Sequence, residues 1–387
     1  MKFIPYGRQH ITDSDIEAVV NVLKSDFITQ GPEVEAFENK IGEIVGSKYC
    51  LAMNSATSAL HVAIKALGVG KGDYVWTSPI TFVASANCAL YEGASIDFVD
   101  VDPQTYNFSV TRFKEKLTLA KKEGRIPKVI IVVHFSGQSC DMSEISALCK
   151  EFDIKIIEDA SHAIGGRYKD TMIGSCRYSD ITIFSFHPVK IVTTGEGGVA
   201  VTNEDLLAEK MELFRSHGVT RKQELLGVVD EGGWYYEQVD LGFNYRMTDI
   251  QASLGRSQLN RLSQYIERRH EVATFYHTTL KDSAFITPMQ IETSYSAYHL
   301  YVIRVDRSKT NKSRREIFDY LRSKGVGVNV HYIPVHTQPY YRELGFKEGM
   351  FPNAEAYYES AISLPMFPTI TDEELRYVVA TLKESLL

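Results

Sequence analysis

The sequence predicts an α/β fold in which a mainly parallel sheet is covered by helices on both faces. Between about Lys48 and Asn203, short β-rich runs alternate with segments whose apolar residues recur at helical spacing. The run KVIIVVHF, residues 128–135, is almost continuously apolar, which is typical of a strand buried on both faces. Helical segments between strands supply the crossovers that parallel pairing requires.

The elements of this region follow in a regular order. Strands are predicted at KYCLAM (48–53), DYVWTS (73–78), SIDFVDV (95–101), KVIIVVHF (128–135), IKIIED (154–159), ITIFSF (181–186) and VAVT (199–202). Helices are predicted at TSALHVAIKAL (57–67), FVASANCALYE (82–92) and DMSEISALCKEF (141–152). Asp141 stands where a side chain would cap the last of these helices.

The pattern changes after Asn244. A long helical stretch over residues 247–280 precedes two strand patterns, HLYVIRV (299–305) and VGVNVHYIPV (326–335), and two helices with polar faces close the chain. A chain of 387 residues is long enough for two domains. We therefore predict a large domain over residues 1–250 and a smaller C-terminal α+β domain over residues 251–387.

Composition narrows the classes of partner. The formal net charge is -7 and charged residues make up 24% of the chain, which argues against nucleic acid or an anionic membrane as a main partner. The five cysteines are odd in number and lack a C-x-x-C pair, which favours reduced thiols in the cytoplasm and disfavours a zinc site. The chain has no apolar run of signal-peptide or membrane-spanning length.

Three segments place polar groups at predicted strand ends, where open α/β sheets bind ligands. The first is NSATS, residues 54–58, between a strand and a helix. Backbone N–H groups at a helix start, together with small hydroxyl side chains, form a cup for a phosphate dianion. Ordinary capping of the helix by Ser55 or Thr57 is the alternative, and for this segment alone it is the commoner explanation.

The second segment is EDASH, residues 158–162, and the third is SFHPVK, residues 185–190, followed by TTGEGG. An acid such as Asp159 at a buried strand end needs a cationic partner, and a pyridinium nitrogen would be one. A capping role for Asp159 and a metal site with His162 are alternatives. Lys190, beside a glycine-rich turn, could be held partly neutral and nucleophilic, although most lysines are solvated surface charges.

The order of these motifs resembles the sugar aminotransferases of the DegT/DnrJ/EryC1/StrS family. The resemblance covers nearly the whole chain through seven motifs, which are FITQGPEVEAFE, NSATSAL, EDASHA, SFHPVK, TTGEGG, LFRSHG and NYRMTDIQASLG. It implies the fold type I architecture of the aspartate aminotransferases and pyridoxal 5'-phosphate as cofactor. Within the family, the motifs look most like the transaminases of pseudaminic acid synthesis, which act on UDP-4-keto-6-deoxy-N-acetyl-β-L-altrosamine.

The resemblance also implies roles for individual residues. Lys190 matches the lysine that carries the cofactor as a Schiff base, and Asp159 the acid that pairs with the pyridine nitrogen. The other cofactor contacts implied are Ala56, Thr57, Phe82, His162, Ser185 and Asn244. His162 departs from the commoner glutamine beside the ring hydroxyl, and Asn244 matches a residue that serves the neighbouring subunit's cofactor. The substrate contacts implied are Tyr6, Asp26, Phe27, Ile28, Thr29, Ala56, Ser185, Tyr245, His331, Tyr332, Ile333 and Pro334.

The expected reaction is transfer of an amino group from L-glutamate to the C4 keto group of a UDP-linked 4-keto-6-deoxy-N-acetylhexosamine, by a homodimer with shared active sites. Another UDP- or dTDP-linked 3- or 4-keto sugar is an alternative substrate. A cofactor-dependent sugar dehydratase on the same scaffold is a second alternative, against which Lys190 argues because such relatives carry histidine there. A binding protein without activity is a third, and the intact Asp159 and Lys190 argue against it.

Overall fold

The computed structural model describes residues 3–227 and 232–387. The helices are α1 Asp13–Leu23, α2 Pro32–Val45, α3 Ala56–Ala66, α4 Ala84–Tyr91, α5 Val110–Glu123, α6 Met142–Glu151, α7 Asp205–Arg215, α8 Asp249–Leu259, α9 Leu262–Leu280, α10 Arg314–Ser323, α11 Pro339–Glu343, α12 Pro352–Ser360 and α13 Asp372–Glu384. The strands are β1 Tyr49–Met53, β2 Tyr74–Thr77, β3 Ser95–Phe98, β4 Val129–Val133, β5 Lys155–Asp159, β6 Arg167–Tyr168, β7 Thr171–Met172, β8 Ile181–Ser185, β9 Gly198–Thr202, β10 Val219–Thr220, β11 Glu237–Gln238, β12 Phe285–Ile286, β13 Ser294–Tyr295, β14 Tyr301–Val305 and β15 Ala361–Leu364.

The main sheet has seven strands in the order β1-β9-β8-β5-β4-β2-β3. Six strands run parallel, and β9 is antiparallel to both of its neighbours, β1 and β8. This arrangement confirms the expected mainly parallel sheet. The carboxyl ends of β4, β5 and β8 therefore lie side by side at one edge of the sheet.

The sheet buries both of its faces under helices. In β4, Val129 and Ile131 pack with α3 and α4, while Ile130 and Val132 pack with α5 and α6 on the other face. Every residue of β4 is buried, because successive side chains of a strand point to opposite faces and both faces are covered. The continuous apolar run in the sequence is thus explained.

The open edge of β1 is covered by an ion pair and by a chain segment. Ala52 donates its N–H to the Glu38 carboxylate at 2.6 Å and accepts a hydrogen bond at its carbonyl from Arg215 at 2.9 Å. Glu38 and Arg215 also pair with each other, and Met53 forms an antiparallel bridge with Arg246. The outward-facing backbone groups of Ala52, and the end of β1 at Met53, thereby find partners inside the chain.

A second core lies in the C-terminal part of the chain. The three-stranded antiparallel sheet β12-β14-β15 packs with α9, α10 and α13. Ile4 at the start of the chain joins this core and bridges Val326. The first part of α9 instead contributes Leu262 and Ile266 to the core beneath the main sheet. The domain boundary at residue 250 stays a prediction.

Four local expectations are corrected. The helical stretch 247–280 is two helices that part at residues 260–261, where the Arg261 side chain turns to the buried carboxylate of Asp15. Residues 326–335 form only isolated bridges at Val326 and Asn329, and Pro334 lacks the N–H that continued pairing needs.

The third correction is that β15 separates the two closing helices, α12 and α13. The fourth concerns Asp141, which precedes α6 without a capping hydrogen bond from its side chain. Its carboxylate accepts hydrogen bonds from the hydroxyls of Ser143 and Tyr168 instead. A local signal therefore located the start of α6 but not the partner of the side chain.

Candidate functional site

A cavity of about 530 Å³ opens at the carboxyl ends of the parallel strands. Val133, Asp159 and Ser185, the last residues of β4, β5 and β8, form its floor. The first turn of α3 and the segment 329–332 from the C-terminal part close it from two sides. Its volume and its place at the strand ends are typical of a small-molecule site in an α/β protein.

The first turn of α3 offers a place for an anion. Ser55 caps the helix, since its Oγ accepts the N–H of Ser58 at 3.1 Å, so the capping explanation of this segment is correct for Ser55. The N–H groups of Ala56 and Thr57 come before the first turn closes, where no intrahelical acceptor exists. Gly198 allows β9 to pass close by, because a Cβ there would lie 2.3 Å from the nitrogen of Ala56. Hydroxyls and N–H groups thus meet in the cavity, as a phosphate dianion requires.

Asp159 is buried, and its two carboxylate oxygens have different partners. Oδ1 accepts the N–H of Ser161 at 3.1 Å, and Oδ2 accepts the hydroxyl of Ser85 at 2.6 Å. A carboxylate has about four acceptor positions, so both oxygens keep capacity for a cationic group in the cavity. Phe82, with 60% of its surface exposed, also lines the cavity and offers an aromatic face.

Lys190 lines the same cavity beyond the end of β8. Burial lowers the pKa of its amine to about 8, and the nearby charge of Asp159 opposes that shift without cancelling it. Desolvation dominates because an ammonium loses hydration in the cavity that one carboxylate does not replace. An appreciable fraction of the amine is therefore neutral near pH 7, which is the form that attacks a carbonyl carbon.

Four uncharged polar rings also line the cavity, and they belong to His162, His299, His331 and Tyr332. Burial, followed by the charge of Lys190, lowers the pKa of His331 to about 3 and moves the pKa of His162 and His299 well below 6.5. Burial also raises the pKa of Tyr332 far above its usual value. All four rings are neutral at pH 7, so they offer hydrogen bonds without competing with Lys190 for a proton.

The hydrogen bonds of His162 indicate which ring nitrogen carries its proton. Nδ1 accepts the N–H of Ser136 at 3.3 Å, so in the neutral ring the proton resides on Nε2. Nε2 lies 3.0 Å from the hydroxyl oxygen of Tyr332 and donates to it. The hydroxyl hydrogen of Tyr332 is then free to point into the cavity.

The structure gathers about half of the predicted site residues around this cavity. Those that line it are Tyr6, Ala56, Thr57, Phe82, Asp159, His162, Ser185, Lys190, His331 and Tyr332. The remainder lie outside the lining within this chain, and they are Asp26, Phe27, Ile28, Thr29, Asn244, Tyr245, Ile333 and Pro334. Their roles stay predictions.

The outlying residues have partners of their own. Thr29 bridges Thr248, and the carbonyl of exposed Asn244 accepts the Asn54 side chain at 3.4 Å. The Tyr245 hydroxyl lies 3.2 Å from His61 Nδ1. Helix α8 begins at Asp249 and is capped by Thr248, so Asn244 does not cap it.

The sequence patterns assign no role to several residues of the lining, among them Thr81, Ser85, His299 and Asn329. Helical spacing could have found Ser85, which is three residues after Phe82 and therefore on the same side of the turn. No local signal points to His299, which precedes β14 and reaches the cavity only through packing of the C-terminal part on the sheet.

The part of the chain that the structure describes contains neither a metal-binding cluster nor a membrane-spanning helix. No group of three or more histidine, cysteine, aspartate or glutamate side chains is placed to hold a metal ion there. Within residues 3–227 and 232–387, no helix combines the length and apolar character needed to cross a bilayer.

Several proteins that are similar to this chain in sequence or structure are named as aminotransferases or transaminases. The model of the DegT/DnrJ/EryC1/StrS aminotransferase family matches residues 9–383. The UDP-4-amino-4,6-dideoxy-N-acetyl-beta-L-altrosamine transaminase of Campylobacter jejuni is 37% identical over 380 residues, which are 98% of this chain and 96% of that protein.

Solved structures of aminotransferases are similar to this chain as well. Helicobacter pylori PseC, an aminotransferase involved in the biosynthesis of pseudoaminic acid, has a TM-score of 0.91 at 30% identity, covering 100% of this chain and 99% of its own. The PMP form of the putative sugar aminotransferase Spr1654 from Streptococcus pneumoniae has a TM-score of 0.89 at 30% identity, covering 99% and 98%. With a family match over nearly the whole length, the chain belongs to the DegT/DnrJ/EryC1/StrS aminotransferase family and is a pyridoxal-phosphate-dependent transaminase.

Proposed function

We propose that this transaminase moves an amino group from L-glutamate to the C4 keto group of a UDP-linked 4-keto-6-deoxy-N-acetylhexosamine, in the cytoplasm. The observation that carries the proposal is the meeting of Asp159, Lys190 and the first turn of α3 in one cavity. Similarity to the C. jejuni transaminase and to PseC supports the choice of sugar. Free cysteines throughout the described residues accord with a reducing compartment.

The residues present fit pyridoxal phosphate. The cofactor supplies an electron sink for proton transfer at the substrate carbon. The first turn of α3 and Ser185 would hold its phosphate, and Phe82 would lie against its ring. Asp159 would keep its ring nitrogen protonated, and Lys190 would bind its aldehyde carbon through Nζ.

Lys190 would also be the group that moves a proton. Its pKa of about 8 lets the amine gain and lose a proton near neutral pH, as a general acid and base must. The pKa values of the neighbouring His162, His299 and His331 lie lower, so Lys190 is a stronger base than any of these three rings. Tyr6, His331 and Tyr332 would offer hydrogen bonds to the sugar without adding charge.

A second copy of the chain would complete the site. Phe27 and Ile28 have 55% and 50% of their surfaces exposed, and Trp234 and Leu241 have 73% and 68%. Large apolar side chains exposed to this degree are typical of surfaces that another chain covers. We propose a homodimer in which Asn244 and the loop 26–29 of one subunit face the cavity of the other.

The central test compares the purified protein with its Lys190→Ala variant. The protein with pyridoxal phosphate should show a visible absorbance band that the variant lacks, and the variant should lose transamination while keeping its circular dichroism spectrum. An unchanged band together with unchanged turnover in the variant would refute the role of Lys190.

The substrate is tested with a panel of UDP- and dTDP-linked 3- and 4-keto sugars and with alternative amino donors. We expect the highest kcat/KM for the UDP-linked 4-keto-6-deoxy-N-acetylhexosamine with L-glutamate. Preference for a dTDP-linked sugar or for a 3-keto sugar would overturn the proposed substrate and leave the transaminase chemistry standing.

Sharing of sites between subunits is tested by mixing two inactive variants, Lys190→Ala and Asn244→Ala, under conditions that allow exchange. If the two residues serve the same site from different chains, a mixed dimer collects both lesions in one site and leaves the other intact. Activity should then return. Persistent inactivity of the mixture, or full activity of Asn244→Ala alone, would refute the shared site.

A further inference from the structure

We propose that Ser85 is a positioning residue that fixes the orientation of the Asp159 carboxylate, and that Thr81 in turn fixes Ser85. The inference rests on the proposed function, in which Asp159 faces the ring nitrogen of the cofactor. It adds two hydroxyl side chains that the sequence patterns did not indicate.

The direction of the hydrogen bonds follows from their chemistry. An ionised carboxylate only accepts, so Ser85 must donate its single hydroxyl hydrogen to Asp159 Oδ2, over 2.6 Å. The Ser85 oxygen, 2.7 Å from Oγ1 of Thr81, can then only accept from that hydroxyl. The two hydroxyls thus form a chain in which each donates toward the carboxylate.

Burial strengthens the hydrogen bonds that join Thr81, Ser85 and Asp159. Ser85 is fully buried, and Thr81 and Asp159 are 2% and 6% exposed, so little water is available to replace a missing donor. Hydrogen bonds to ionised groups are shorter and stronger than neutral ones, and those in a poorly hydrated interior are stronger still. A carboxylate held at Oδ2 by Ser85 and at Oδ1 by the N–H of Ser161 cannot rotate without breaking one of the two bonds.

The sequence position of Ser85 ties the carboxylate to the aromatic wall. Ser85 N–H donates to the carbonyl of Phe82 at 3.2 Å, in the turn that opens α4. The residue offered to the face of the cofactor ring and the residue that holds the acid for its nitrogen therefore lie on one short turn. A shift of this turn would move both contacts together.

A purely structural role is the alternative, since buried hydroxyls often only satisfy hydrogen bonds. The chain offers a matched control for it. Thr77, on the strand that precedes this turn, is equally buried, and its hydroxyl donates to the carbonyl of Ile131 at 2.8 Å. It does not line the cavity.

The test compares Ser85→Ala, Ser85→Thr, Thr81→Val and the control Thr77→Val with the unaltered protein. Four quantities are measured, which are the Kd for pyridoxal phosphate by titration of the cofactor-free protein, kcat and KM with saturating cofactor, and Tm. Fluorescence quenching reports cofactor binding without any need for turnover. Lys190→Ala is carried through the same titration.

For Ser85→Ala we expect a rise in cofactor Kd and a fall in kcat of about tenfold each, with KM for the sugar nearly unchanged. Thr81→Val should change the same quantities in the same direction but less, and Ser85→Thr should restore them because it keeps the hydroxyl. Thr77→Val should lower Tm only.

Two results would overturn the inference. If Ser85→Ala matches Thr77→Val, with Tm lowered and Kd and kcat unchanged, the hydroxyl is only structural and the proposed function is unaffected. If the unaltered protein binds no pyridoxal phosphate, or binds it without a band that Lys190→Ala removes, the proposed function fails and the role of Ser85 fails with it.

Discussion

Replacing Lys190 by methionine should stabilise the cofactor-free protein, although the proposed function makes this lysine central to activity. The cavity lowers the pKa of the amine from 10.5 to about 8 mainly through burial. Between these two values the unfolded chain binds a proton that the folded protein does not. The stability of the unaltered protein therefore rises with pH across this interval, and the cost of the charged amine is full below pH 8 and gone above about pH 10.5.

The magnitude follows from the two pKa values. Each tenfold difference in proton affinity is worth about 1.4 kcal/mol, and the affinities in the two states differ by more than two powers of ten. The charged amine therefore costs the folded protein up to about 3 kcal/mol at pH 7, about 2 kcal/mol at pH 9 and less than about 1 kcal/mol at pH 10. Methionine keeps the apolar stem of the side chain and removes only this cost.

Urea unfolding of both cofactor-free proteins at pH 7, 8, 9 and 10 measures the effect. Lys190→Met should be the more stable at pH 7, and its advantage should shrink at each step as the pH rises. Exposed Lys24→Met controls for loss of a surface charge and should differ from the unaltered protein by less than about 0.5 kcal/mol. An advantage of Lys190→Met that does not change with pH, or a destabilised variant, would refute the reasoning.

Three further outcomes are expected. Asp159→Asn should lower kcat far more than it weakens cofactor binding, because an amide cannot hold the ring nitrogen protonated. Near-normal turnover with saturating cofactor would mean that Asp159 serves only as a cap. Arg215→Ala should lower the free energy of unfolding by up to about 3 kcal/mol at pH 7, because it removes the cationic partner of the partly buried Glu38 carboxylate. Burial already raises the pKa of Glu38, so this loss should shrink as acid protonates the carboxylate, and a loss independent of pH would contradict the role of the pair. Tyr332→Phe should raise KM for the keto sugar with the visible spectrum of the bound cofactor unchanged, and an unaltered KM would show that the freed hydroxyl does not reach the substrate.

The main sheet could be predicted because its evidence is local. Each buried strand requires a short run of apolar residues, and β4 shows the limiting case in which every residue is buried. The antiparallel course of β9 leaves no such mark, because VAVT is equally buried in either direction. The break between α8 and α9 was missed for a similar reason, since the contact that accompanies it joins Arg261 to Asp15, far away in sequence.

The residues of the site also fall into those with a local sequence signal and those without one. Asp159, Ser185 and Lys190 could be placed because each closes or follows a buried strand, and the carboxyl ends of neighbouring parallel strands must meet. The contact of Ser85 with Asp159 could not be predicted, because the two residues are 74 positions apart and the spacing of Ser85 from Phe82 indicates only that both lie on the same side of the turn. Nor could the tautomer of His162, which depends on the backbone of Ser136 and on a tyrosine 170 residues later.

What sequence patterns locate in this protein is therefore the set of groups at the strand ends. The sequence patterns do not locate the hydrogen bonds that orient those groups. The distinction is physical, because a strand end is fixed by the periodicity of its own segment, whereas the direction of a hydroxyl or an imidazole is fixed by whichever distant atoms pack against it. Ser85→Ala removes a hydroxyl that orients Asp159, and Tyr332→Phe removes a hydroxyl that His162 orients, while every strand-end residue stays in place. Large effects from these two changes would therefore mean that much of the site's efficiency resides in contacts that no local pattern encodes.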